Sequence, residues 1–223
     1  MLKLIAMLTM LVDHIGLLFF PEIMVFRIVG RIAMPLFAYG IAQGYWYTSQ
    51  HETTARYLGR VVALFIISQI PYNLVQYQAG LAPNFNICVS WILGITALSI
   101  LDSRLHYLLK TFLLSGLFIA IMGAWLDYSF LAVSLVAAFS LRFRVQSGRF
   151  VSLYAAGALV ILFSIVYGNY IELYALTAIP ILLWVETLQK EGILTFKIPR
   201  WVGYTFYPLH LLLLSAAKLI LQK

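Results

Sequence analysis

The chain has 223 residues, of which 63% are hydrophobic and 10% charged, and its mean hydropathy is +0.94. Soluble domains lie nearer roughly 45–50% apolar and about 25% charged, so a water-soluble domain is excluded and lipid is the expected solvent. The net charge of +7 accompanies no GxxxxGK[ST] or GxGxxG motif, which argues against a nucleotide-hydrolysing or ordinary dinucleotide enzyme.

A helix needs about 20 residues to cross the hydrocarbon layer, so this length accommodates eight to ten spans with short connections. Apolar runs predict nine, at residues 4–20, 24–46, 57–77, 86–101, 108–125, 127–141, 150–167, 170–188 and 201–220. The expected fold is all-α, a polytopic transmembrane helical bundle forming one domain over residues 1–223. Lys3 and the first run resemble the start of a secretory signal. No small-residue cleavage pattern follows, so the run is expected to be retained as the first span. The fourth and sixth runs are short, as expected of less tilted or partly re-entrant segments. Pro71 is expected to break or kink the outer end of the third span. Cys88, the only cysteine, has no partner for an internal disulfide and reads as a small hydrophobe in a helix.

Basic residues set the orientation. Lys3, Arg56 and Arg60, Arg104 and Lys110, Arg142, Arg144 and Arg149, and Lys190, Lys197 and Arg200 all flank connections on one side. The other connections carry Glu22, Asp127 and Glu172. The positive-inside rule then makes the N-terminus cytoplasmic. Nine spans place Lys218 and Lys223 outside, which requires either snorkelling to the outer interface or a span count that is off by one. A basic cytoplasmic rim fits anionic lipid headgroups and needs no nucleic-acid partner.

Against this apolar background Asp13 and His14 lie well inside the first span, and Arg27 and Arg31 lie four apart on one face of the second. Buried charge at that depth is costly unless a partner or a wet cavity compensates it, and Asp13 with one arginine across the helical hairpin is the natural pair. A purely structural ion pair accounts for Asp13 and Arg27 better than for His14 and a second arginine. Histidine is the only residue type in the group whose unperturbed pKa lies near neutrality, which makes His14 the natural proton acceptor if the site does chemistry. Neighbouring helix positions point about 100° apart, so Asp13 is under no constraint to orient His14. Other polar groups gather toward the same side: Ser68, Gln69 and Asn73 at the end of the third span, and Asn84 and Asn86 in the next connection. Asp127, Tyr128 and Glu172 are expected at the wet outer interface, and His210 lies inside the last span. A metal site is not expected: His51 and His106 fall in cytoplasmic connections, and no HExxH or Cys/His cluster occurs.

The opening segment LIAMLTMLVDHIG (residues 4–16), the second-span segment from Phe26 through Tyr39 to Gly44, and the later SQIPYN (68–73), Asp127-Tyr128 and FYPLH (206–210) occur in order along nearly the whole chain. Together they resemble the TraX family of membrane proteins, whose namesake is required for conjugative pilin acetylation and which is similar to the membrane acyltransferase-3 group. That resemblance implies an acyltransferase of the bacterial plasma membrane. It would move an acetyl or similar group from acetyl-CoA or another acyl-CoA to an extracytoplasmic protein, glycan or lipid, with no permanently bound cofactor. It further implies His14 as the base, or as a nucleophile if an acyl-histidine forms, with Arg27 and Arg31 as electrostatic or donor-binding groups. Asp13, Asn73, Asp127 and His210 are implied as supporting positions, and Asn86 and Tyr128 join the substrate- or donor-binding set as polar neighbours on the same side. Two other classes fit the same residues: a small proton-coupled transporter or flippase for an anionic metabolite or lipid, and a non-catalytic envelope assembly factor.

Overall fold

The computed structural model describes residues 1–123, 129–193 and 198–221; Asp127, Tyr128, Lys197 and Lys223 lie outside the described residues. The described chain is helical throughout: α1 (Leu2–Phe19), α2 (Met24–Gly30), α3 (Ala33–Gln50), α4 (Thr54–Gln78), α5 (Ile87–Asp102), α6 (Tyr107–Gly123), α7 (Ser129–Arg144), α8 (Gly148–Tyr167), a 3-10 segment (Tyr170–Thr177), α9 (Ala178–Lys190) and α10 (Arg200–Leu221). Six segments are long and apolar enough to cross a bilayer: Leu2–Phe19, Met24–Gln50, Thr54–Gln78, Gly148–Tyr167, Tyr170–Lys190 and Trp201–Leu221. The helices Ile87–Asp102 and Tyr107–Ile121 are apolar but shorter. Burial follows the logic of lipid as solvent. On α10, Leu209, Leu212 and Leu213 are exposed while His210 and Ser215 are buried; on α4, Ile66, Ile67 and Ile70 are exposed while Ser68 is buried. Apolar side chains outside and polar ones inside is the reverse of a water-soluble helix.

One proline explains a departure from plain helix, and two others cause none. The second apolar run is interrupted at Arg31 and Ile32. Pro35 has no N–H to offer the Arg31 carbonyl four residues earlier, and its ring crowds that carbonyl. In the first turn of α3, by contrast, its missing donor is not needed. Pro71 and Pro208 behave differently, since α4 and α10 continue through them, so the break expected at Pro71 does not occur.

The chain folds as two compact units, Met1–Phe37 with Ile67–Pro83 and Gly157–Lys223, and Ala38–Ile66 with Asn84–Ala156. In the first unit α1 packs on α2 and α10, and α2 packs on the 3-10 segment. Gly16 and Gly30 permit the α1–α2 approach: a Cβ at Gly16 would strike Phe26, and one at Gly30 would strike the Asp13 side chain. Small residues at such crossings let helix backbones come close in lipid. Stacking of Phe20 on Phe26, with ring centroids 5.3 Å apart, closes the hairpin. α1 and α10 run parallel, because Lys3 lies against Gly203, His14 meets His210, and the Lys218 ammonium donates to the Leu18 carbonyl. That last contact also accounts for a lysine near the end of the last apolar helix. It satisfies one of the four carbonyls that the C-terminus of α1 leaves open and lies 5.8 Å from the Phe19 ring centroid.

The second unit centres on α5 against α7, with Gly94 facing Val136 and Tyr39 edge-on to Phe139 at 5.7 Å. Its polar anchor is Asp102, which accepts from Tyr45 Oη at 2.7 Å and from both Nη atoms of Arg144, at 2.5 and 2.9 Å. Cys88 is buried in α5.

The hairpin geometry predicts the outcome of one substitution. Gly30→Ala should lower the melting temperature in detergent by several degrees, whereas Gly40→Ala, where a Cβ meets nothing within 4 Å, should not. Equal shifts for the two variants would contradict the close approach at Asp13.

Candidate functional site

The ionisable groups of the first unit form two adjoining networks that begin at neighbouring residues of α1. Asp13 points to α2. Its Oδ2 accepts from Arg27 Nη1 at 2.7 Å and its Oδ1 from Arg31 Nη2 at 3.1 Å. Arg31 reaches further, donating from Nη1 to Glu172 Oε1 in the 3-10 segment at 2.5 Å and from Nε to the Arg27 carbonyl at 3.2 Å. Asn169 Nδ2 adds a longer bond of 3.4 Å to the same Glu172 oxygen. Two guanidinium groups face two carboxylates, so the cluster carries no net formal charge. Neutrality of this kind allows four ionisable side chains to sit in an apolar medium.

The two arginines are differently placed. The Arg31 side chain is 6% exposed and uses Nε, Nη1 and Nη2 on acceptors within the first unit. Arg27 is 29% exposed and uses only Nη1, which leaves Nε and Nη2 without an acceptor among the described residues. Glu172 Oε2 is buried with no hydrogen-bond partner among the described residues, an acceptor left open to a water or a donor group of a ligand.

His14, one residue after Asp13, points instead to α10. Its Nδ1 lies 3.0 Å from His210 Nε2, and His210 Nδ1 lies 2.8 Å from the Phe206 carbonyl oxygen. The Phe206 ring stacks on His210 at 4.7 Å, 11° from parallel. His210 is buried and His14 is half-buried. Helical geometry provides the division: successive side chains are rotated by about 100°, so one residue serves α2 and the next serves α10.

The structure thus unites Asp13, Arg27 and Arg31 in one network and His14 with His210 in another. Asn73, part-buried on α4, accepts at Oδ1 from Gln69 Nε2 at 2.9 Å. Asn86 lies in the second unit, fully buried, as the N-cap of α5. There its Oδ1 accepts from the Cys88 N–H at 2.9 Å and its Nδ2 donates to the Phe65 carbonyl at 3.4 Å. Glu172 is the member that sequence reasoning placed at the wet interface; the structure buries it to 2% exposure as the second counter-ion. The available signal was arithmetic: one aspartate cannot neutralise two arginines. Among the described residues no group of three or more His, Cys, Asp or Glu converges as metal ligands would.

Fold and site together define a polytopic helical membrane protein with a charge-balanced ionic cluster beside a histidine pair. The chain belongs to the TraX protein family, whose profile matches residues 1–218. It is 28% identical to a probable fimbrial assembly protein FimC, serogroup H1, of Dichelobacter nodosus over 239 aligned residues, 99% of this chain and 96% of the relative. It is also 35% identical over 89 residues to an uncharacterized protein of Rickettsia prowazekii (strain Madrid E), covering 40% of this chain and 32% of that protein. No solved structure matches significantly.

The ionic network makes a double-substitution test decisive. Arg31→Ala strands Glu172 and one Asp13 oxygen and should cost about 3–5 kcal/mol, as removing one partner of a buried ion pair does. Adding Glu172→Gln should recover part of that loss, because it removes the uncompensated charge. Strictly additive losses in a detergent unfolding series would show that Arg31 and Glu172 are not coupled.

Proposed function

We propose that this protein is a membrane-embedded acyltransferase that moves an acetyl or similar acyl group from a coenzyme A thioester to an amine or hydroxyl at the extracytoplasmic face of the plasma membrane. The observation that carries the reading is the position of His14: a half-buried imidazole held by a second histidine and adjoining a neutral ionic cluster. The family membership supports it, and the relative named for fimbrial assembly points to an acceptor in an extracytoplasmic structure.

In the proposed reaction the acceptor N–H or O–H gives its proton to His14 as its N or O forms a bond to the thioester carbonyl carbon. The carbonyl oxygen becomes an oxyanion, stabilised by the uncommitted Nε and Nη2 of Arg27. Collapse breaks the C–S bond, and the leaving thiolate takes the proton back from His14. Arg31, engaged on three acceptors, holds the cluster together, which separates the tasks of the two arginines. Positioning of acceptor and thioester would supply the larger part of the acceleration, as in other two-substrate transfers. Asn73 and Asp127 remain assigned to the acceptor or donor by resemblance, and Tyr128 as the polar neighbour of Asp127.

The proposed topology is nine passes with a cytoplasmic N-terminus. The parallel course of α1 and α10 supports it, since helices crossing in the same direction at the two ends of a chain require an odd number of passes. A cysteine appended after residue 223 in a Cys88→Ala background should then react with an impermeant thiol reagent added to intact cells. Labelling only after the inner face is opened would require an even count.

One observation favours a second reading, a proton-coupled carrier of an anion. The helix interruption at Arg31 and the 3-10 segment bearing Glu172 are the kind of irregular backbone found where transporters bind cargo. One experiment separates the two. The purified protein is supplied with radiolabelled acetyl-CoA and an envelope fraction, beside His14→Ala (H14A) and Arg27→Ala (R27A). The acyltransferase reading expects label in an envelope product, lost by at least about 100-fold in H14A and reduced in R27A with folding retained. Unlabelled product together with proton-dependent anion uptake by proteoliposomes would replace it with the carrier.

A further inference from the structure

We infer that His210 is a positioning residue that locks His14 in the tautomer with a proton on Nδ1 and a bare lone pair on Nε2, so that Nε2 is the atom that accepts the proton of the incoming nucleophile. The inference rests on the acyltransferase reading for its consequence, but its geometry stands independently of it.

The tautomers follow from the fixed polarity of one end of a hydrogen-bonded chain. A backbone carbonyl oxygen only accepts, so His210 Nδ1, 2.8 Å from the Phe206 oxygen, must carry the proton. A neutral imidazole has one N–H, and His210 Nε2 is then an acceptor. The 3.0 Å contact between His210 Nε2 and His14 Nδ1 needs a donor, which His14 Nδ1 supplies. Neutral His14 is left with its lone pair on Nε2. No other assignment of two neutral histidines satisfies both contacts. The stacked Phe206 ring holds the His210 plane, and burial of His210 keeps water from competing for its Nε2.

The pair also gives the accepted proton two places to reside. When His14 Nε2 takes a proton from the nucleophile, the Nδ1 proton can pass along the 3.0 Å bond to His210 Nε2. His14 then becomes neutral with its proton on Nε2, and His210 becomes an imidazolium donating to Phe206 oxygen and to His14 Nδ1. Reversal returns the Nε2 proton to the departing thiolate, with no net change in the pair. The groups around the pair make this transfer useful. Arg27 on α2 and Arg31 just past its end lie beside His14's neighbour Asp13, with Glu172 from the 3-10 segment closing the charge balance, while α10 contributes His210. A positive charge moved toward His210 leaves the side of the pair nearest the arginines.

The test reads nitrogen protonation directly and needs no turnover. Full-length protein is labelled with 15N-histidine, incorporated in nanodiscs and examined at neutral pH, with the His14 signals identified by their loss in His14→Gln (H14Q). The expected spectrum shows neutral His14 protonated at Nδ1 and bare at Nε2. His210→Leu (H210L) should abolish that preference, whereas His210→Gln (H210Q), whose amide oxygen can still accept from His14 Nδ1, should retain it. If acyl transfer is measured in parallel, H210L should lower kcat by roughly 10- to 100-fold with the KM for acetyl-CoA little changed, and H210Q should restore part of it. A wild-type His14 protonated at Nε2, or a His14 tautomer unaffected by H210L, would overturn the inference. Absence of transfer in a protein showing the expected tautomers would instead count against the acyltransferase reading alone.

Discussion

Electroneutrality inside an apolar solvent governs how the first unit is built. A single arginine or aspartate at the centre of a membrane helix costs about 2.5–3.5 kcal/mol on insertion scales and more by other measures. Two arginines and two carboxylates held separately would threaten the marginal stability of a chain this size. Brought together, Asp13, Arg27, Arg31 and Glu172 offset one another. Convergence in turn dictates local structure: α1 and α2 must approach closely enough for Asp13 to meet two guanidinium groups, and Gly16 and Gly30 provide the space. The 3-10 segment after α8 must bring Glu172 inward, and it does so against α2.

Once the charges are balanced, the site gains a fixed frame at little further electrostatic cost. Arg31 is held at the helix interruption caused by Pro35, with its guanidinium committed on three sides. Arg27, nearer the open side of the cluster, keeps donors available. The adjoining histidine pair inherits the rigidity of α1 and α10, whose parallel packing is secured at one end by Lys218 on the Leu18 carbonyl. Asp13, His14, Arg27 and His210 are therefore placed on helices rather than on connections, which favours precise positioning.

Much of this was legible in the sequence, for identifiable reasons. Apolar runs report membrane helices strongly because lipid demands long continuous stretches, and each of the nine runs contains helix among its described residues. The Asp13–Arg27 pairing could be read from opposite charges on either side of a short connection. Glu172 was harder: it is 141 residues from Arg31, and nothing in local composition distinguishes an acidic residue at a wet interface from one folded inward. The same limit applied to His210, whose depth was apparent but whose partner 196 residues away was not. Asn86 shows the opposite difficulty. An asparagine directly before an apolar run is an N-cap signal, and the structure uses it so, yet its placement beside other amides invited a binding role. Pro35 and Pro71 illustrate a third limit: both are prolines in apolar runs, but only the one in the first turn after Arg31 coincides with a break.

The proposed chemistry divides labour between adjacent residues: Asp13 holds the ionic frame, and His14 would perform the proton transfer. The most direct measurement compares Asp13→Asn (D13N) with H14Q in one preparation, recording unfolding in detergent and transfer of a labelled acetyl group. D13N should lose stability and activity together, because it removes a charge that balances two arginines. H14Q should unfold within a few degrees of wild type while transfer falls by about 100-fold or more. An H14Q variant that transfers normally, or a D13N variant that keeps full stability, would contradict it.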